Sequence, residues 1–246
     1  MSLNTATFIF KGSLKDFTEQ DQVVKSFQLH PSAKDLIESC GVPQVEVYGL
    51  RVNHRLESFS YNVADGDKLT VYPKRITDGQ DTPGNIREAR DLPSKFIADV
   101  HLGKLTRYLR LLGFDTVYKN DAKDTDIIDA AIRDNRTVLT RDVGLLKHGR
   151  LKHGYWLRST EPNEQVLEVV KYFELAGNIH PFMLCMNCNG HLEQVAKEEV
   201  ISKLPPKVNK NFEEFRQCQA CGQVYWKGSH YHKLVKKVRQ IKNVID

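Results

Sequence analysis

Two Cys-x-x-Cys pairs, Cys185/Cys188 and Cys218/Cys221, stand out in the chain, and only Cys40 lies elsewhere. Thiolates are soft ligands, and a two-residue spacer lets both sulfurs of a pair face one ion. Two pairs therefore complete a closed tetrahedral site, the arrangement of a structural Zn²⁺. The competing reading is a set of redox or disulfide pairs. The opening MSLNTATFIFKGS carries no signal-peptide pattern and neither pair sits in a thioredoxin-like context, so zinc is preferred. The insert between the pairs is long and charged and contains Pro205-Pro206, which predicts a loop.

A second group of residues is acidic. Ligands of open α/β sheets bind beyond the carboxyl ends of the strands, so an acid just after a strand points into that crevice. Asp99 follows the apolar run Phe96-Ile97-Ala98, and Asp142 follows Thr137 to Thr140 and Arg141. A third acid, Asp124 or Asp126, is offered by a helix start between them. Clustered carboxylates need a compensating cation, and oxygen ligands suit Mg²⁺ or Mn²⁺. That is the chemistry of metal-assisted phosphodiester hydrolysis. Local roles compete: Asp124 as a helix N-cap, Asp126 and Asp129 on a solvated helix face, Asp121 as a turn residue after Asn120.

Beside the acids lie Lys104, Arg107 and Arg110 at three-residue spacing, with Tyr108 among them and Arg141 next to Asp142. Guanidinium and ammonium groups there would hold RNA phosphates, and Tyr108 would stack on a base. The plain alternative is a helix keeping its polar side wet.

The elements that must position these residues alternate between strand and helix from Lys95 onward, which predicts a parallel sheet with helices on both faces. Strands are expected at Phe96 to Ala98, Thr116 to Tyr118, Thr137 to Thr140 and Tyr155 to Leu157. Helices are expected over Leu102 to Leu112 with Gly113 as the stop, over Asp126 to Asp134, and from Pro162 to about Phe173. Ahead of them, a strand at Ala6 to Phe10, a helix at Lys34 to Cys40, a strand at Val45 to Val52 and an Asp65-Gly66 turn into a last strand resemble a ubiquitin-like β-grasp. The likeness is greatest to the sulfur carriers of thiamine and molybdopterin synthesis. Those end in a free Gly-Gly, whereas here the chain runs on through Lys74 to Arg90, which removes that chemistry and leaves a docking module.

Lys and Arg exceed Asp and Glu by 11 to 6 in residues 177–246, against 11 to 12 in residues 1–90 and 14 to 13 in residues 91–176. The whole net charge of +5 thus belongs to the cysteine module and the tail, as a polyanion binder requires. In that tail Leu234, Val235, Val238, Ile241 and Ile245 form an apolar stripe ringed by lysines, including Lys236 and Lys237. An amphipathic helix is expected, docked on the core with its lysines toward RNA. His230 and His232 are read as ordinary surface residues. No apolar run reaches the roughly 18 residues of a membrane span, so the expected location is cytoplasmic, with no membrane partner.

The run from Asp99 to Asp115, the Asn120-Asp121 and Asp124 cluster, Leu139-Thr-Arg-Asp142, the cysteine pairs and the closing Tyr225 to Tyr231 resemble the Mut-seven C-terminal RNase family, a branch of the PIN-domain nucleases. The resemblance implies a metal-dependent endoribonuclease in which water attack leaves 5′-phosphate and 3′-hydroxyl ends. It implies Asp99, Asp124 and Asp142 as ligands of Mg²⁺ or Mn²⁺ and Asp126 as a supporting acid. PIN enzymes often carry a further acid after the fourth strand, and here Tyr155 to Ser159 supplies none before Glu161. The expected division is a β-grasp domain (1–76), a linker (77–93), a PIN-like domain (94–176), a zinc ribbon (177–229) and a basic tail (230–246). Expected partners are RNA, such as tRNA or rRNA, and a protein held by the β-grasp domain. A noncatalytic RNA-binding adaptor is the alternative function, and an oligomer is compatible with the family although no interface is legible.

Overall fold

The computed structural model describes residues 3–18, 20–74 and 93–245. The anticipated linker, apart from Pro93, lies outside the described residues. Two compact units emerge, one within Met1–Pro93 and Ala131–Trp156, the other within Ser94–Ala130 and Leu157–Asp246.

The chain opens with β1 (Asn4–Phe10), β2 (Gln22–Phe27), α1 (Ala33–Ser39), β3 (Val47–Val52), β4 (Arg55–Glu57) and β5 (Lys68–Pro73). They form a mixed sheet in the order β2-β1-β5-β3-β4, with β1 and β5 parallel and Phe8 opposite Leu69. Alternation along β1 buries Ala6, Phe8 and Phe10 under α1, whose Leu36 and Ile37 are also buried. Helix α1 begins where Ser32 Oγ accepts the Asp35 N–H at 3.1 Å. Before β5, the buried Asp67 pins the turn by accepting from Asn53 Nδ2 at 2.7 Å, Tyr61 OH at 3.0 Å and the Ala64 N–H at 2.8 Å. The strand expected from Val45 instead starts at Val47, because Gln44–Glu46 is wound as a 3-10 turn.

From Phe96 the elements are β6 (Phe96–Ala98), α2 (Gly103–Leu112), β7 (Thr116–Val117), α3 (Asp124–Arg133), β8 (Thr137–Thr140), α4 (Val143–Leu146), β9 (Gly154–Trp156) and α5 (Pro162–Tyr172). β6 pairs in parallel with β7, and β8 in parallel with β9, the partners of each pair being linked through a helix, α2 and α4 respectively. All four residues of β8 are buried, as a strand covered on both faces requires. Helix α2 buries Leu105, Leu109 and Leu112 completely and ends at Gly113, whose φ is 97°. A Cβ there would stand 2.4 Å from the His180 carbonyl oxygen, so glycine is needed for close approach as well as for the left-handed backbone.

The last part comprises β10 (Leu192–Val195), α6 (Lys197–Val200), α7 (Pro206–Asn211), β11 (Phe215–Cys218), β12 (Val224–Trp226) and α8 (Ser229–Ile245). The three strands form an antiparallel sheet in chain order. The charged stretch of the insert expected as a loop holds α6, a 3-10 turn (Ile201–Lys203) and α7. Val200, Leu204, Val208 and Phe212 recur every fourth residue and pack on Phe215 and Val224. Pro206 takes the first position of α7, where its missing N–H is harmless. Helix α8 buries Val238 and Ile241 and packs against α2 and α5. Among the described residues no helix is long and apolar enough to cross a membrane.

Candidate functional site

The four cysteines converge, with every pair of their sulfurs within 4.8 Å. Cys185 and Cys221 sulfurs are 3.7 Å apart and those of Cys188 and Cys218 are 3.3 Å apart. A tetrahedral centre with Zn–S near 2.3 Å requires sulfurs about 3.8 Å apart, so the donor set and its spacing fit zinc. The two knuckles share one geometry. Four residues past the first cysteine of each pair stands a left-handed residue, Asn189 at φ 73° and Gly222 at φ 72°. Their N–H groups return to the carbonyls of Cys185 and Cys218, both at 2.9 Å. A Cβ on Gly190 would lie 2.8 Å from Cys218 Sγ, which explains glycine there.

Hydrogen bonding around Cys185 favours its ionised form. The Tyr225 hydroxyl lies 3.1 Å from Cys185 Sγ. Burial pushes the Cys185 thiol up, but the Tyr225 hydroxyl and backbone N–H groups outweigh it and bring the thiol down to about 7. Burial carries Cys188 the other way, to about 12.

Arg110 departs from the sequence expectation of an RNA contact. It is only 3% exposed, and its guanidinium donates to the carbonyls of Thr116 at 2.9 Å, Asn187 at 2.7 Å and Met186 at 3.3 Å. Asn189 completes the seam: its Oδ1 accepts the Thr116 N–H at 3.0 Å and its Nδ2 donates to Asp115 Oδ1 at 2.6 Å. Arg110 thus joins the first knuckle to the end of α2 and is not offered to a phosphate. Tyr108 is also engaged, its ring covered by the Lys237 ammonium at 5.1 Å from the centroid, and Lys237 bonds Asn163 Oδ1 as well. Lys104, Arg107 and Lys236 are exposed, as are His230 and His232.

In the unit that holds α2, Asp99 directly follows β6 and is 9% exposed. Its Oδ1 accepts the Val100 N–H at 2.6 Å, and its carbonyl accepts the Leu102 N–H at 2.9 Å. Tyr118, not singled out by sequence, braces the same turn by donating to the Val100 carbonyl at 2.7 Å. A Cβ on Gly103 would come within 2.9 Å of that hydroxyl oxygen, so glycine admits the tyrosine. Asp124 is the first residue of α3 and exposed. Asp126 is exposed, as a solvated helix face would have it, and its carboxylate accepts the Lys123 N–H at 3.2 Å at the start of α3.

In the other unit, Arg141 and Asp142 are exposed on the turn after β8. Asp142 caps α4, its Oδ1 accepting the Gly144 N–H at 2.6 Å while its own N–H donates to Thr140 Oγ1 at 2.8 Å. The Trp156 indole N–H donates to the Arg141 carbonyl at 3.1 Å, a contact with no local signal in sequence.

An α/β chain with a β-grasp start and a four-cysteine ribbon is the class these features define. Residues 94–238 match the Mut7-C RNAse domain and residues 3–77 match the Mut7-C ubiquitin domain. The chain belongs to the Mut7-C RNAse domain family. Among solved structures, a putative molybdopterin converting factor subunit 1 from Pyrococcus furiosus is similar at 19% identity, with 28% of this chain and 97% of that chain covered and a TM-score of 0.25. SAMP1 from Haloferax volcanii is similar at 12% identity, with 31% of this chain and 100% of that chain covered and a TM-score of 0.26. No curated protein matches.

Proposed function

We propose that this chain is a PIN-type, metal-dependent endoribonuclease that cuts structured or single-stranded RNA, tRNA or rRNA among the candidates. The observation that carries the reading is that the Mut7-C RNAse match, residues 94–238, contains Asp99, Asp124, Asp126 and Asp142. Their all-oxygen donor chemistry fits a hard divalent cation, Mg²⁺ or Mn²⁺. Asp99, Asp124 and Asp142 are assigned to hold it, with Asp126 in support. When bound, such a cation supplies charge neutralisation at the scissile phosphate and eases deprotonation of the attacking water. Lys104, Arg107, Arg141 and Lys236 hold phosphates of the RNA, and water attack leaves 5′-phosphate and 3′-hydroxyl ends.

The proposed division of the chain is a ubiquitin-like domain (1–76), a linker (77–93), the nuclease domain (94–176), a ribbon with structural zinc (177–229) and a basic tail (230–246). A reducing, cytoplasmic compartment suits four thiolates kept for zinc. A protein partner at the ubiquitin-like domain belongs to the same reading.

One observation favours the alternative, a noncatalytic RNA-binding adaptor: the carboxylates of Asp126 and Asp142 both serve as local backbone acceptors. Incubating purified protein with a mixed RNA pool and Mn²⁺, beside the Asp99→Asn/Asp142→Asn double variant, separates the two. A nuclease cuts and its variant only binds. An adaptor binds in both forms and cuts in neither.

A further inference from the structure

We propose that the ubiquitin-like domain is a built-in brace for the Arg141-Asp142 turn, acting through Glu46 and Trp156 as positioning residues. The inference rests on the reading above for what the turn does, and on geometry alone for how it is held.

Strand β9 pairs on one side with β8, Trp156 lying opposite Thr140. The Trp156 main-chain N–H donates instead to Glu46 Oε1 at 2.6 Å. Glu46 is 1% exposed, and its backbone is tied into the domain, its N–H donating to the Pro43 carbonyl at 3.1 Å and its carbonyl accepting the Lys74 N–H at 3.0 Å. A carboxylate bonded to a main-chain N–H away from water is among the stronger tethers a fold can make. Phe17, at the end of the 3-10 helix Gly12–Phe17, sets its ring 4.8 Å from the Trp156 ring, tilted by 39°. The start of the strand is held as well. A Cβ on Gly154 would sit 3.2 Å from Val45 Cγ2, and Lys74 Nζ donates to the Lys152 carbonyl at 3.3 Å.

Held at both backbone and ring, Trp156 has its indole N–H fixed on the Arg141 carbonyl. The next residue is Asp142, whose carboxylate direction is set by the Gly144 N–H. Glu46 therefore reaches Asp142 through two hydrogen bonds and one peptide unit. A module that only recruited partners would have no need of this path. It restricts the orientations of the Asp142 carboxylate, and prior orientation is where positioning contributes to rate.

The test uses the full-length protein and two readouts. Hydrogen–deuterium exchange at residues 140–144 is compared in wild type, Glu46→Ala, Glu46→Gln and Trp156→Phe, with residues 185–192 as the internal reference. Glu46→Ala and Trp156→Phe are expected to speed exchange at the turn about tenfold. Glu46→Gln, which keeps a side-chain acceptor, should stay close to wild type, and the reference segment should not change in any variant. Under Mn²⁺, kcat for RNA should fall with the exchange protection and KM should stay nearly constant. Unchanged exchange at 140–144 in both Glu46→Ala and Trp156→Phe overturns the proposal. Should Glu46→Ala fail to fold, Trp156→Phe alone decides, since it keeps a ring against Phe17 and removes only the indole donor. If wild type cuts no RNA, the nuclease reading falls, and the exchange result still decides whether the brace exists.

Discussion

The Arg110 guanidinium donates to the Asn187 carbonyl at 2.7 Å, tying the last turn of α2 to the loop between Cys185 and Cys188. Two further carbonyls, of Thr116 and Met186, share the same group. Removing it leaves the buried Thr116 carbonyl without this donor, at about 1–3 kcal/mol for a buried group left unsatisfied, and takes the same donor from the less buried carbonyls of Met186 and Asn187.

Arg110→Gln is therefore expected to destabilise the unit by about 2–4 kcal/mol, and Arg110→Lys to recover little because an ammonium cannot reproduce the planar fork. Arg107→Ala, three residues earlier and exposed, should change stability by less than about 0.5 kcal/mol yet weaken RNA binding and reduce its salt slope. Urea unfolding and binding titrations across salt concentration check both. Equal stability losses for Arg107 and Arg110 would contradict the seam.

Much of the molecule is readable along the chain. Cysteine spacing is legible because chelation by a knuckle is decided within a few residues, and the strand and helix periods of β1, β8, α2 and α5 are written in their own side chains. What could not be read is non-local. Arg110 looks like one more cation on a wet helix face until the Cys185 knuckle folds over it. Glu46 and Trp156 lie 110 residues apart, and nothing near either one announces the other. Strand β2 carries a weak local signal because it lies on an edge with Val24 exposed and only Val23 and Phe27 turned to the core, so pairing with β1 defines it. The charged insert read as a loop because Pro205-Pro206 looks like a breaker, although proline is well suited to a first helical turn.

Zinc should copurify at one ion per chain, and Cys218→Ser should lose it and unfold the ribbon. Ligand thiols must release protons to bind, so affinity falls as pH falls. With Cys185 brought to about 7 and Cys188 pushed up to about 12, protons compete already near neutrality, and release should progress through the acid range. A chromogenic chelator titration at stepped pH measures it. A pH-independent affinity would exclude thiolate ligation.

His153 gives the other unit its own acid response. Burial, then Lys74 and Lys152, lower its pKa from the ordinary 6.5. The folded state therefore holds the neutral imidazole while the unfolded chain takes a proton at 6.5, so this contribution is complete above 6.5 and is lost as pH falls below it toward the folded value. Replacing His153 by Gln should flatten the urea midpoint across that window. An unaltered slope would assign the acid response to other groups.

The central claim is metal-assisted attack of water on an RNA phosphodiester, and the chemistry of the product ends tests it most directly. RNA cut in Mn²⁺ by the full-length protein should carry 5′-phosphate and 3′-hydroxyl termini, and both should disappear with EDTA or in the Asp99→Asn/Asp142→Asn variant. Termini bearing 5′-hydroxyl and 2′,3′-cyclic phosphate, formed with or without metal, would mean attack by the ribose hydroxyl and would contradict the account.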